Sequence, residues 1–274
     1  MGAALTPRKP LRLGLIGWGA ISRRVAQVLA ERRVSVDIVA VGVRDAAKSH
    51  DGLPAGVELV TQPEELLGFS FDLVIEAAGR AAVGSWGQAA LQRAPAYAVS
   101  STSAFVDGAV LDRLLAVAEA HGSQVVVPPG ALAGIDALAA VAALPLDEVI
   151  HTIVKPPGAW LGTMAEQLVA LGSLTRATTF FSGSAREAAD RFPQNANATV
   201  ITALAGIGLD RTRVVLMADP AATRNSHRLQ ARGDFGQFDL AIENRPLATN
   251  PKSSETTALA LVRLVENRVR PLVR

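Results

Sequence analysis

The opening of the chain constrains it most: the apolar run RLGLI passes directly into Gly17-Trp18-Gly19-Ala20-Ile21-Ser22, and then into the amphipathic pattern SRRVAQVLAERR. That order reads as a strand, a tight turn and a helix. A strand apolar at nearly every position is buried on both faces, which implies a parallel sheet with helices on either side. The rhythm then repeats. DIVAVGVRD and FDLVIEAAG read as strands, GSWGQAALQRA as a helix, YAVSS as a strand, VDGAVLDRLLAVAEAHG as a helix and QVVVPPG as a strand. Between the first two, the stretch containing VELVTQPEELL reads as turn and helix. Residues 1–130 therefore form a doubly wound, Rossmann-type α/β domain.

Beyond Gly130 the pattern changes. Short apolar runs such as EVIHTIVK and RTRVVLMAD, and a hairpin signal near Gly233, predict a second, α+β domain over 131–249 with an antiparallel or mixed sheet. NPKSSETTALALVRLVENRV then reads as a closing helix over 250–274 that returns to the first domain, capped by Asn250 or Ser253 with Pro251 in its first turn.

Composition removes several function classes. Aromatic residues make up 4% of the chain, and 27 Lys and Arg stand against 25 Asp and Glu, so neither a stacking platform nor a cationic track for nucleic acid is present. With no cysteine there is no thiolate nucleophile or Cys-built metal site, and none of the four histidines sits at metal-ligand spacing from another. No metal is expected. The first ten residues lack a signal-peptide core, and no apolar run reaches the roughly 18 residues of a membrane span, so a cytoplasmic, non-membrane protein is expected. Gly2 and Thr6 fit the short myristoylation pattern without a second membrane signal beside them.

Four places in the first half of the chain could carry chemistry. In the first turn, Gly17 permits the tight bend, Gly19 lets backbone approach a pyrophosphate, and Ala20 and Ile21 begin the helix whose N–H groups would hold it. Ser22 stands where the dinucleotide fingerprint has a third glycine. At the end of the second strand, Asp45 would hold ribose hydroxyls as in NAD binding, whereas Arg44 would welcome the 2′-phosphate of NADP. Both are present, so the choice stays open. Glu76-Ala77-Ala78-Gly79 and Pro128-Pro129-Gly130-Ala131 end two further strands with small residues that make room for a flat cofactor, although both also read as ordinary turns.

In the second half, His227 follows Asn225 by two residues on a predicted strand, so the two share a face in a polar stretch that gives no apolar reason to bury an imidazole. His151, inside EVIHTIV, reads as core packing; His50 and His121 read as exposed. Asn250-Pro251-Lys252-Ser253-Ser254 places a lysine and hydroxyls at a predicted helix start, which suits a carboxylate or phosphate and equally suits a plain cap.

The stretches GLIGWGAI, VKPPGAWLGT, FPQNANATVITALAG, DPAATRNSH and GDFGQFDLAIENRPLATNPKSS together resemble the L-aspartate dehydrogenase family over almost the whole chain. The resemblance implies NAD- or NADP-dependent oxidation of L-aspartate to iminosuccinate, then oxaloacetate and ammonia, with a link to NAD biosynthesis and a homodimer formed through the second domain. It also implies His227 as the active-site histidine and Ala131 and Asn197 as cofactor contacts; Ala78, in the small-residue strand end, is a further candidate cofactor contact. Asn225, Lys252 and Ser253 are the expected substrate-side residues, with Arg80 or Lys155 holding the second carboxylate. Departures from the pattern are Ser22, Arg80 where a histidine is common, and Ser253 in place of threonine. The alternatives are a related two-domain reductase of the dihydrodipicolinate-reductase kind and a cofactor-binding sensor without turnover.

Overall fold

The computed structural model describes residues 9–48 and 50–273, without the side chains of Pro251 and Lys252. The Gly2 and Thr6 pattern lies outside the described residues. Two compact units emerge: Met1–Ser101 with Ala109–Pro128 and Ala258–Arg274, and Thr102–Gly108 with Pro129–Thr257.

The first unit holds strands β1 (Leu11–Ile16), β2 (Val36–Gly42), β3 (Glu58–Val60), β4 (Leu73–Glu76), β5 (Ala96–Val99) and β6 (Gln124–Val126), with helices α1 (Ala20–Glu31), α2 (Arg80–Arg93) and α3 (Gly108–His121). The six strands are all parallel in the order β3-β2-β1-β4-β5-β6, the doubly wound arrangement that the strand rhythm implied. One element departs from expectation. Glu58–Val60, read as part of a turn and helix, is an edge strand on β2, and a 3-10 turn over Pro63–Gly68 follows it.

The second unit contains α4 (Ile135–Val141), β7 (Leu146–Lys155), α5 (Ala165–Leu168), β8 (Thr178–Ser184), α6 (Ala185–Arg191), α7 (Ala196–Ala205), β9 (Arg213–Ala218), β10 (Asn225–Gly233), β11 (Gly236–Asn244), β12 (Pro246–Leu247) and β13 (Asn250–Ser254). Its main sheet runs β11-β10-β7-β9-β8 and is mixed: β7 and β9 are parallel, the other pairs antiparallel. Trp160, Phe181 and Phe192 pack on Val214 and Leu216 in its core.

Helix α8 (Glu255–Val269) closes the chain. Its Ala258, Leu261, Val262 and Val265 are buried among Val25, Val28, Leu13 and Leu73 in the core of the first unit. Each larger side chain so buried stabilises that core by about 1.5–3 kcal/mol. The expected start of this helix is corrected. Asn250–Ser254 pairs with Pro246–Leu247 as a strand, and the Ser254 hydroxyl accepts from Thr256 N–H at 3.2 Å where the helix begins. Among the described residues no helix is long and apolar enough to cross a membrane.

Candidate active site

In the first unit, the β1–α1 turn opens a cleft of about 690 Å³ lined by Gly17, Gly19, Arg44, Asp45, Ala78 and Gly79, among others. Gly17 has φ of +93°, and a Cβ there would sit 2.8 Å from the Ala78 Cα, so a side chain is excluded on both counts. Gly19 precedes the first turn of α1, and a Cβ there would meet nothing within 4 Å. The first N–H groups of α1, including those of Ala20 and Ile21, have no intrahelical acceptor and face the N-terminal end of the helix dipole. This combination fits a dinucleotide pyrophosphate.

A buried carboxylate shapes the opposite wall. Glu76, at the end of β4, accepts from the N–H groups of Ala78 and Gly79, both at 2.8 Å, and from the N–H and hydroxyl of Ser101 at 2.9 and 2.8 Å. It thereby fixes the 77–79 segment beside Gly17. Ser22 is fully buried in α1, consistent with a small residue for close helix packing. Arg44 is exposed at the cleft, whereas the Asp45 carboxylate accepts from the Ala47 N–H at 3.0 Å. Arg80 is exposed in the first turn of α2, beside but not among the residues lining the cleft.

In the second unit, β7 and β10 are antiparallel neighbours with His227 opposite Ile153 and Leu229 opposite His151. Because side chains alternate along a strand, His151, Ile153 and Lys155 share one sheet face with Asn225 and His227. His227 Nδ1 lies 3.0 Å from His151 Nε2, and His151 Nδ1 lies 3.0 Å from the Thr202 hydroxyl on α7. His151 is completely buried. Reading it as apolar packing is therefore corrected: its ring is clasped at both nitrogens, and it is the hydrogen-bond partner of His227.

Burial pushes the His227 imidazole down to about 4, helped by the charge of Lys155, and pushes His151 well below the usual histidine range. Lys155 lies 4.8 Å above the Trp160 ring, and burial lowers its ammonium to about 8. Both imidazoles are thus neutral at pH 7 and the lysine remains mainly charged. Stability follows from the direction of these shifts. An unfolded histidine takes up its proton near 6.5 while folded His227 resists until about 4, so stability is full above 6.5 and falls as the pH drops. Between pH 7 and pH 5 the loss from His227 is about 1–2 kcal/mol. Thermal melts of the protein against His227→Asn should show a steeper decline for the native chain; parallel curves would remove the imidazole as the cause.

The remaining expected residues take these places. Asn197, in the first turn of α7, accepts from the Ser103 N–H through its side-chain oxygen at 2.9 Å, and its carbonyl accepts from the Thr102 hydroxyl at 2.9 Å. The Ala131 carbonyl accepts from Asn244 Nδ2 at 2.9 Å, and Asn244 is opposite Asn225 in the β10–β11 register. Helix α7 links these parts, since it carries Asn197, Thr202 and Ile201, against which Gly130 packs. Asn244 is buried and also accepts from Thr256 at 2.7 Å, and no local sequence pattern marks it. Ser253 accepts from Asn250 Nδ2 at 3.2 Å. Lys252 lies within β13, not in a first helical turn, and its side chain is outside the described residues.

Two sequence-family models match: that described as aspartate dehydrogenase, C-terminal, over residues 136–268, and that of the homoserine dehydrogenase NAD binding domain over residues 17–128. An L-aspartate dehydrogenase of Brucella anthropi is 59% identical over 255 residues, covering 93% of this chain and 95% of its own length. The chain belongs to the L-aspartate dehydrogenase family. A Serratia proteamaculans member is 41% identical over 251 residues, covering 92% of this chain and 94% of its own. Among solved structures, the aspartate dehydrogenase of Thermotoga maritima superposes with a TM-score of 0.75 at 24% identity, covering 96% of this chain and 99% of that one, which supports the fold.

Membership in this family makes the chain an oxidoreductase, and the first unit a nicotinamide-nucleotide-binding one. Arg44 then has a testable job, since an exposed guanidinium at the end of the second strand can pair with a 2′-phosphate. Arg44→Ala should weaken NADP binding by about 10-fold while changing NAD binding little. Titration by nucleotide fluorescence reads both constants, and equal changes would remove Arg44 from that role.

Proposed function

We propose that this chain, an NAD(P)-dependent enzyme that oxidises L-aspartate, handles the protons of the reaction at His227 and anchors substrate charge at Lys155. The observation that carries the reading is the cluster on one sheet face: an imidazole clasped by a second imidazole, with a half-buried ammonium close enough to depress it. The Gly17–Ile21 turn, Arg44 and Ala78 would hold the adenosine and pyrophosphate parts of the cofactor, and Ala131 and Asn197 its nicotinamide end. When bound, the nicotinamide accepts the hydride from the substrate Cα.

The residues of the chain supply the rest. Oxidised substrate is iminosuccinate, which water must attack at the imine carbon. Neutral His227 takes the proton of that water as the C–O bond forms. Protonated and largely desolvated, the same imidazole is a strong acid and returns the proton to the amine of the hydrated imine; as the C–N bond breaks and ammonia leaves, the freed imidazole takes the proton of the hydroxyl and oxaloacetate remains. Lys155 pairs with one carboxylate, and charge-assisted contacts of this kind fix which face of Cα is presented. Asn225, on the same face, and the 250–254 strand carrying Lys252 and Ser253 are the candidates for the other carboxylate.

Purified protein given L-aspartate with NAD or NADP should generate reduced-nicotinamide absorbance together with ammonia. Nucleotide binding without turnover would favour the sensor reading, and turnover of a cyclic imine in place of aspartate would favour the related reductases. Iminosuccinate that escapes before hydration would be available to NAD synthesis, and oxaloacetate yields below the nucleotide reduced would report it. We place the enzyme in the cytoplasm as a homodimer joined through the second sheet, whose edge strand β11 carries the exposed Leu240; light scattering at the mass of one chain would contradict the dimer.

A further inference from the structure

The contacts around His151 assign a direction to every proton in them, and from that direction we propose that Thr202 and His151 form a positioning relay holding His227 in the one tautomer that leaves Nε2 bare. The proposal deepens the reading of His227 as the proton acceptor and rests on it.

The derivation starts at a carbonyl. The Thr202 hydroxyl lies 3.2 Å from the Ala198 carbonyl oxygen, one turn back in α7, and 3.0 Å from His151 Nδ1. A carbonyl only accepts, whereas a hydroxyl has one proton to give and lone pairs to receive with. Both contacts are hydrogen bonds only if the hydroxyl donates to Ala198 and receives from His151, so Nδ1 of His151 carries the proton.

His151 is completely buried, and among the described residues no acidic side chain contacts its ring to offset a second proton, so the ring is neutral. Its Nε2 then holds a lone pair. The 3.0 Å contact to His227 Nδ1 needs one proton, which must come from His227. Neutral His227 is left with Nε2 unprotonated on the side of the ring away from His151. The backbone of α7 thus dictates which nitrogen of a residue on β10 is the base. The inverted arrangement would place a lone pair of Thr202 against that of the Ala198 carbonyl, inside a buried region where such mismatches are costly.

Thr202→Val keeps the shape and deletes the acceptor of the His151 proton, so the relay loses its bias. Three readouts separate the possibilities. In the native enzyme, nitrogen NMR of labelled histidine should show His227 protonated at Nδ1 and bare at Nε2. In Thr202→Val the Nε2-protonated form should appear and kcat should fall about 10- to 100-fold, with the KM for aspartate and the Kd for the nucleotide within twofold. Thr202→Ser, which restores the hydroxyl, should recover both tautomer and rate. A native spectrum with His227 protonated at Nε2 overturns the proposal whether or not any variant folds. So does full turnover by Thr202→Val with the native tautomer. If instead His227→Ala itself turns over normally while the native spectrum is as expected, the relay stands as structure and the proton-handling role of His227 is what fails.

Discussion

His227→Ala should lower kcat by about two to four orders of magnitude, the usual worth of a positioned acid–base group, while leaving nucleotide affinity within a factor of about two. The contrast is the informative part. The glycine turn, the cleft and Arg44 lie in the first unit, whereas His227 lies in the second, so its truncation leaves the adenosine and pyrophosphate cradle intact. Loss of the imidazole also orphans the acceptor on His151, so a modest fall in melting temperature should accompany the loss of rate. Stopped-flow measurement of the first turnover then identifies the step: if hydride transfer stays fast and ammonia release becomes slow, the imidazole serves hydration of the imine. Native-like steady-state turnover would remove it from the chemistry.

Lys155→Met should be the second large effect, with kcat/KM for aspartate down by about 10²–10³, the worth of a largely desolvated carboxylate contact. Methionine keeps the stem packed near Trp160 and removes only the charge, so stability should hold or rise slightly, because a half-buried ammonium is costly to keep. The same change relieves His227 of a neighbouring positive charge, and its pKa should move up from about 4. A substrate series gives the decisive comparison. If Lys155 holds a carboxylate, the variant should lose most of the preference for aspartate over its monoamide; an unchanged preference would place the charge recognition elsewhere.

Legibility in the sequence tracked the locality of the signal. The β1–turn–α1 unit was readable because an apolar run, two glycines and an amphipathic helix are contiguous, and the parallel sheet followed from repetition of that pattern. Strand β3 was not, since three residues on a sheet edge carry too little pattern to distinguish them from a turn. The start of α8 was misplaced for a related reason: Pro251 suits a first helical turn, but pairing with Pro246–Leu247 takes the segment as a strand and leaves Ser254 at the start of the helix.

In the site, His227 stood out because its polar surroundings gave it no packing excuse. His151 did not, with Val149, Ile150, Ile153 and Val154 around it in a strand that reads as purely structural. What joins the two is the β7–β10 register, between residues 76 apart in sequence, and no local pattern encodes that. Asn244 was missed likewise, as its contacts with Ala131 and Thr256 arise only once β11 has taken its place.

The packing of α8 into the first unit bears on how the chain is made. Leu261, Val262 and Val265 sit in the same core as Leu13 and Leu73, although well over half of the sequence separates them in order of synthesis. A ribosome that has delivered all six parallel strands has therefore not delivered a closed core; an apolar groove stays open until α8 has emerged as well. Throughout translation of the intervening half, the nascent nucleotide-binding sheet must remain shielded from premature association, and truncation ahead of α8 would leave it permanently unsealed.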